Sequence, residues 1–123
     1  MIVGIIGLGL IGGSMAIDLK RRGFARIVLG VEADPVNAAA AERMELVDEI
    51  VPFEECVRRS DITVIAIPVG SAVKMLPQVL DIFKEEGNGK KIVIDTCSTK
   101  SNIVRAAHYH PLRCRFVATH PMA

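Results

Sequence analysis

The sequence has few aromatic residues: they make up 4% of its 123 residues, and tryptophan is missing. Half of the residues are nevertheless hydrophobic, so the core has to be built from aliphatic side chains. Aliphatic runs are typical of parallel strands, which are covered on both faces. The composition therefore favours an internal parallel sheet, and the length suits a single domain, residues 1–123.

A marked excess of charge is also missing. Lys and Arg number 15 and Asp and Glu number 14, and the basic residues are spread along the chain, so no basic groove for nucleic acid is predicted. No apolar stretch approaches the roughly 20 residues of a membrane span, and the N-terminal segment lacks the positive region of a signal peptide. We expect a cytoplasmic protein with no nucleic-acid or membrane partner.

Cysteine motifs are missing as well. The three cysteines, Cys56, Cys97 and Cys114, include no C-x-x-C pair. His108 and His110 form an H-x-H pair, but no Cys or carboxylate accompanies it at ligand spacing. Surface histidines are the stronger interpretation, and we predict no metal site.

The most informative motif of the sequence lies near its N-terminal end. The apolar run Ile2–Ile6 leads into residues 7–12 (GLGLIG) and then into a helical pattern, which is the opening of a dinucleotide-binding βαβ unit. Gly7 allows the tight turn, Gly9 lets a pyrophosphate approach the backbone, and Gly12 lets the helix pack closely. The free amides at the helix start would face the phosphates. The predicted cofactor-binding residues of this segment are Gly7, Gly9, Leu10, Ile11 and Gly12.

A second apolar run, Ile27–Val31, ends at Glu32, twenty residues beyond Gly12. A carboxylate at this point accepts hydrogen bonds from the ribose hydroxyls of the adenosine. Alone, Glu32 would be interpreted as a solvated residue at a strand end, but its spacing from the glycines favours cofactor binding. Its charge would repel a ribose phosphate, and neither Ala33 nor Asp34 supplies a cation. The sequence therefore predicts NAD rather than NADP.

The helix after the glycines places Ile11, Met15 and Leu19 four residues apart, which predicts that they face the sheet. The same helix is expected to stop at Gly23.

Local signals predict the ends of the later helices. Asp34 is expected to cap a helix over residues 36–44, and Ser71 to cap the helix after the fourth strand. Pro77 is expected to kink that helix or to split it into two. A turn is predicted at residues 86–89.

Further apolar runs alternate with these helices, at residues 47–51, 62–67, 92–95 and 116–118. Such alternation predicts an α/β fold, a doubly wound Rossmann-type parallel sheet with helices on both faces and strand order 3-2-1-4-5-6. Ligands of these sheets bind beyond the carboxyl ends of the strands. We therefore expect the glycine turn and residues 68–70, 95–100 and 119–121 to line one crevice. Ile67, Pro68 and Val69 are predicted to bind the cofactor there.

Two side chains in this crevice are candidates for chemistry. An imidazole exchanges protons near neutral pH, so His120 beside a nicotinamide would deprotonate a hydroxyl as hydride leaves the adjoining carbon. A histidine that only satisfies a backbone carbonyl is an equal alternative. Ser98 would hydrogen-bond the substrate or orient the imidazole, and it or Thr99 would cap the next helix. We expect Asp95 to give support and Lys100 to be a solvated charge.

Three segments together resemble the prephenate dehydrogenase family: residues 7–16 (GLGLIGGSMA), 95–100 (DTCSTK) and 119–123 (THPMA). The nucleotide-binding domain of that family covers the whole chain. The resemblance implies NAD-dependent oxidative decarboxylation of prephenate, or of arogenate, in tyrosine biosynthesis. In this comparison Ser98 matches the active-site serine of the family and His120 its catalytic histidine.

The resemblance also implies something that this chain lacks. Members of the family continue with a glycine and then an α-helical domain, which makes the homodimer and supplies cationic groups for the substrate carboxylates. We therefore interpret the chain as a fragment, the nucleotide-binding domain of a larger enzyme.

Two other functions remain open, because a fold alone does not fix a function. The chain could be a non-catalytic NAD(H)-sensing module, or part of a different small NAD-dependent hydroxyacid dehydrogenase. A serine and a histidine at neighbouring strand ends favour the enzyme, since a sensor needs no base beside the nicotinamide.

Overall fold

Parallel strands alternate with helices along the chain. The computed structural model describes residues 1–87 and 89–122. Asn88, in the predicted turn at 86–89, and Ala123, the last residue of the segment 119–123, lie outside the described residues. The elements are β1 (Ile2–Ile6), α1 (Leu10–Arg21), β2 (Ile27–Val31), α2 (Pro35–Arg43), β3 (Glu49–Ile50), α3 (Phe53–Arg59), β4 (Ile62–Ile65), α4 (Val69–Glu86), β5 (Ile92–Asp95), α5 (Ser101–Ala107), a 3₁₀ turn (Arg113–Arg115) and β6 (Phe116–Val117).

The strands form one parallel sheet in the order β3-β2-β1-β4-β5-β6. This confirms the predicted doubly wound α/β fold and its strand order. The order reverses between β1 and β4, where Ile5 lies beside Val64. The carboxyl ends of these two strands therefore flank the position at which ligands of such sheets bind.

The sheet is buried on both faces, which explains why its central strands are apolar without alternation. Ile5 and Val64 face α1 and α2, in one cluster of buried side chains. Their neighbours Ile6 and Ile65 face α3, α4 and α5, in a second and larger cluster. Both clusters are mainly aliphatic, as the composition predicts.

The prediction for the buried face of α1 is confirmed in part. Met15 and Leu19 pack against the core as partly buried side chains, whereas Ile11 is 48% exposed. The most deeply buried residues of α1 are Gly12, Gly13 and Ala16. Small residues therefore occupy the positions nearest the sheet, which hydrophobic spacing does not indicate.

The predictions for α4 also fail in part. Ser71 lies inside the helix, which begins at Val69 after Pro68, and the helix continues through Pro77 to Glu86 without a break. Burial of one long face explains the continuity. Several side chains of that face are buried, and together they outweigh the hydrogen bond that Pro77 cannot donate. They include Leu76, Val79, Leu80 and Phe83.

The predictions of helix caps are also confirmed only in part. Asp34 is confirmed, since its Oδ1 accepts the amides of Val36 and Asn37 at 2.8 and 3.0 Å. Ser98 and Thr99 are not caps, because α5 begins at Ser101 and receives no side-chain cap from the described residues.

Within the described part of the chain, no helix is long and apolar enough to cross a membrane.

Lys91 is a charged side chain buried at the amino end of β5, at the opposite end of the strands from the glycine turn, with 6% of its surface exposed. Its Nζ lies 3.2 Å from the carbonyl oxygen of Val57, also contacts that of Arg58, and pairs with Glu86 at 2.7 Å. Both carbonyls belong to the last turn of α3, where a cation is favourable. Lys91 thus joins the end of α3 to β5.

We expect Lys91→Met to lower the free energy of unfolding by about 1–3 kcal/mol, because two carbonyls and Glu86 lose their partner. Urea unfolding of the two chains measures the difference. The matched control is Lys74→Met on the exposed side of α4, expected to change stability by less than about 0.5 kcal/mol. Equal effects of the two substitutions would contradict this role of Lys91.

Candidate functional site

The turn between β1 and α1 is packed tightly against its surroundings. Gly7 has φ +94°, and a Cβ there would lie 2.6 Å from the carbonyl oxygen of Ala66. A Cβ on Gly12 would lie 2.0 Å from the carbonyl oxygen of Gly7. Both positions therefore require glycine, for the two reasons that the spacing predicts: a tight turn and close packing of the helix.

Gly9 differs from these two glycines. A Cβ there would have no described atom within 4 Å, so its surroundings in the protein do not require a glycine. It is the N-cap of α1, it carries no side-chain cap, and the first helical bond runs from Gly13 N to Gly9 O at 2.8 Å. The amides of the first turn thus point outward at the positive end of the helix. This arrangement fits a bound diphosphate.

Glu32 lies beside the glycine turn. Its Oε2 accepts the amide of Leu8 at 3.0 Å, and its Oε1 accepts the amide of Asp34 at 3.1 Å. Two backbone donors therefore hold the carboxylate in one orientation. Each oxygen keeps a lone pair for a further donor, so a ribose diol could bind without displacing either amide. The geometry suits the predicted role of Glu32.

A cleft of about 440 Å³ opens at the carboxyl ends of β1, β4 and β5. It brings together seven of the predicted site residues. Gly7 lies in the turn before α1, Gly12 lies in the first turn of α1, and Glu32 follows β2 beside them. The cleft walls are mainly apolar, with Thr96 and Ser98 as hydroxyl-bearing members. The lining residues are Gly9, Leu10, Ile11, Ala66, Ile67, Pro68, Val69, Thr96, Cys97 and Ser98.

Ser98 lies on the loop between β5 and α5 and is exposed. Because α5 begins three residues later, the hydroxyl is not used as a helix cap. It lines the cleft instead. The structure therefore removes one of the two roles predicted for Ser98 and leaves the hydroxyl available to a ligand.

His120 lies three residues beyond the end of β6 and is exposed. It is not among the described residues that line the cleft. Its neighbour Thr119 donates its amide to Asp95 Oδ1 at 3.1 Å, so the loop that carries His120 is attached to the end of β5. Its catalytic role stays a prediction.

The prediction for Lys100 is wrong. Its Nζ forms an ion pair with Asp95, whose side chain is fully buried. A solvated charge was expected because, with Ser98 or Thr99 as the cap, Lys100 would open the next helix. The available signal was Asp95 itself: a carboxylate at the end of a buried strand requires a cation nearby.

The Cys97 thiol beside this pair is not an activated nucleophile. Burial raises its pKa, and the Asp95 carboxylate raises it further. The thiol therefore stays protonated near neutral pH.

In the H-x-H pair, contacts within the protein hold the ring of His110. His110 Nδ1 accepts the amide of Leu112 at 3.0 Å, and Nε2 lies 3.0 Å from Asp81 Oδ1. Both ring nitrogens therefore have protein partners. Residues 1–87 and 89–122 contain no group of three His, Cys, Asp or Glu side chains that could hold a metal ion.

Comparison with known proteins agrees with this geometry. Residues 15–123 match the family model of the prephenate dehydrogenase nucleotide-binding domain. The chain is 31% identical over 121 residues to the prephenate dehydrogenases of Lactococcus lactis subsp. cremoris (strain MG1363) and Bacillus subtilis (strain 168). These alignments cover 97% of this chain but 33% and 32% of the two relatives.

Solved structures give the same result. The prephenate dehydrogenase of A. aeolicus, crystallised with hydroxyphenyl propionate and NAD+, is 25% identical with a TM-score of 0.77 and covers 99% of this chain. Synechocystis arogenate dehydrogenase is 29% identical with a TM-score of 0.80 and covers 98%. This chain matches 42% and 41% of those two chains.

The family model covers most of the chain, and the glycine turn, the Glu32 carboxylate and the cleft at the β1–β4 reversal form a site of the kind that its description names. The chain spans about a third of the length of its curated relatives. It belongs to the prephenate dehydrogenase family, and it corresponds to the nucleotide-binding domain of that family.

Proposed function

We propose that residues 1–123 form the NAD-binding domain of an enzyme that oxidatively decarboxylates prephenate to 4-hydroxyphenylpyruvate in tyrosine biosynthesis. The observation that carries the proposal is the uncapped start of α1, which opens at Gly9 into the same cleft as Ser98. Arogenate is the second candidate substrate, because the similarity to Synechocystis arogenate dehydrogenase is as close as that to the prephenate enzymes.

In this proposal the cofactor lies across the reversal between β1 and β4. The amides of Leu10, Ile11 and Gly12 bind the diphosphate, and Glu32 binds the adenosine ribose. Residues 67–69 and Ser98 flank the nicotinamide. The charge of Glu32 selects NAD over NADP by repelling a phosphate on the ribose. NAD, when bound, supplies the acceptor for hydride.

The residues of the protein have to accept the proton that the ring hydroxyl of the substrate loses. His120 takes it from the ring hydroxyl of the substrate, while the hydride leaves the carbon that bears this hydroxyl. The bond from the ring to its carboxylate breaks, its electron pair completes the aromatic ring, and carbon dioxide departs. The imidazolium of His120 then returns the proton to the phenolate oxygen of the product. Ser98 hydrogen-bonds the hydroxyl or orients the imidazole. Aromatisation drives the reaction, so positioning is the main contribution of these residues.

The proposal also includes a part of the enzyme outside residues 1–123. A helical domain outside residues 1–123 makes the homodimer and supplies cations for the two substrate carboxylates. The enzyme acts in the cytoplasm, where Cys56, Cys97 and Cys114, which are free thiols in the structure, would remain reduced.

Two glycine substitutions separate binding from folding. We expect Gly9→Ala to weaken NADH binding by at least about tenfold, because its methyl group would point into the open space assigned to the diphosphate, while stability stays within about 0.5 kcal/mol. We expect Gly12→Ala to lower the free energy of unfolding by about 1–3 kcal/mol through its clash with Gly7.

Titration of NADH fluorescence measures the first effect in this chain, without tryptophan emission in the background. Urea unfolding measures the second. A Gly9→Ala chain that binds NADH as tightly as the unchanged chain would refute the assignment of the diphosphate site.

Glu32→Gln tests the choice of cofactor. Removing the charge should weaken NADH binding by about tenfold and narrow the preference for NADH over NADPH, because a phosphate on the ribose is no longer repelled. Glu42→Gln, on the exposed side of α2, is the matched control and should leave both affinities unchanged. The assignment fails if Glu32→Gln leaves the NADH to NADPH ratio as it was.

His120→Asn tests the proton acceptor in the intact enzyme. We expect kcat for prephenate to fall by about 10²–10⁴-fold, with NADH affinity unchanged, because His120 does not hold the nucleotide. His108→Asn, an exposed histidine at the end of α5, should retain full activity. Full turnover by His120→Asn would show that His120 is not the proton acceptor.

A further inference from the structure

Asp95 makes an unusual number of hydrogen bonds for one buried side chain. Its Oδ2 accepts the amide of Cys97 at 3.0 Å and the ammonium group of Lys100. Its Oδ1 accepts the amide of Thr119 at 3.1 Å. Its backbone carbonyl accepts the hydroxyl of Thr119. The residue itself is 0% exposed, so no part of it can reach a substrate in the cleft.

These bonds divide between two loops. Oδ2 binds the loop after β5, which carries Ser98, and Oδ1 binds the loop after β6, which carries His120. One carboxylate therefore connects the two loops that hold the candidate catalytic side chains. Its two oxygens leave little freedom for either loop to move relative to the other.

The sheet alone connects these loops weakly. β6 is an edge strand of two residues, and it pairs with β5 through Val93–Phe116 and Ile94–Val117. The chain then leaves the sheet, and Thr119 is the next point at which it is attached to β5. The position of His120 therefore depends on the contact between Asp95 and Thr119.

The position of Lys100 at the start of α5 also supports the connection of the two loops by Asp95. Lys100 is the N-cap of α5, where a cation is unfavourable to the helix dipole and its side chain supplies no cap to the described helix. Helix formation therefore does not explain a lysine there. Its ion pair with Asp95 does, because a buried carboxylate is tolerated when it is paired and hydrogen-bonded.

We propose that Asp95 is a positioning residue, which with Lys100 as its counter-ion holds the Ser98 loop and the His120 loop in one arrangement beside the cleft. The inference rests on the proposed function for its catalytic consequence. Asp95 touches neither substrate nor cofactor. Its effect on the reaction passes through His120, whose distance from the reacting hydroxyl it controls.

Hydrogen exchange in this chain tests the connection without any activity. The ion pair of Lys100 is with Asp95 rather than with residues 118–120, but Lys100→Met should destabilise the Asp95 carboxylate and so raise amide exchange of that segment by about tenfold or more. Lys100→Arg keeps the charge and should keep the protection. Arg105→Met removes an exposed cation from the same helix and should change nothing. Unchanged exchange at 118–120 in Lys100→Met overturns the proposal.

Kinetics of the intact enzyme test the consequence. Thr119→Val removes one hydroxyl and keeps a side chain of similar shape, so folding should be retained. We expect kcat for prephenate to fall by about tenfold to a hundredfold, with KM for NAD unchanged. Thr119→Ser restores the hydroxyl and should return kcat to within about threefold of the original enzyme.

A double variant separates positioning from general damage. In the His120→Asn background, Thr119→Val should cost no further activity, because the residue through which it acts is already gone. A full additional loss there would show that Thr119 acts on the structure as a whole, and would overturn the positioning role. If the unaltered enzyme oxidises neither prephenate nor arogenate, the proposed function fails, while the exchange experiment still decides whether Asp95 connects the loops.

Discussion

The close contact between Gly12 and Gly7 is the constraint on which the rest of the site depends. A methyl group at Gly12 would come within 2.0 Å of the Gly7 carbonyl oxygen, so α1 lies close against the turn from which it starts. This closeness gives α1 a buried face of Gly12, Gly13 and Ala16. It also brings the free amides of the first turn to the end of β1, where the strand order reverses. The cleft opens at this point.

Local chemistry explains the part of the fold that the sequence predicts. The strand order follows from alternating elements and right-handed crossovers, and Asp34 caps α2 because its partners are two and three residues away. Ser71 and Pro77 were wrongly interpreted because the burial of α4, a property of the whole sheet, decided the outcome. The same holds for Ile11, which the closeness of α1 turns away from the core. Sequence signals succeed where both partners are neighbours in the chain.

The two sides of the site differ in the same respect: one depends on residues that are close in the sequence, and the other on residues that are far apart. Its cofactor side could be proposed from the sequence because the glycines and Glu32 lie within one βαβ unit, and the structure adds the two amides that fix Glu32. The other side depends on contacts between β5 and the end of β6, which are 24 residues apart at Asp95 and Thr119. No periodicity indicates that contact. The role of Asp95 therefore emerged from its burial and its hydrogen bonds.

Charge explains why the two sides of the site are built differently. At Gly9 none of the described side chains caps the start of α1, which suits a ligand that brings negative charge from outside. At Asp95 the negative charge belongs to the protein, is buried, and has to be neutralised from within, which Lys100 does. The first arrangement is complete only with a ligand, whereas the second is complete without one. Because the second arrangement needs no ligand, it holds the loops of Ser98 and His120 together in the free protein.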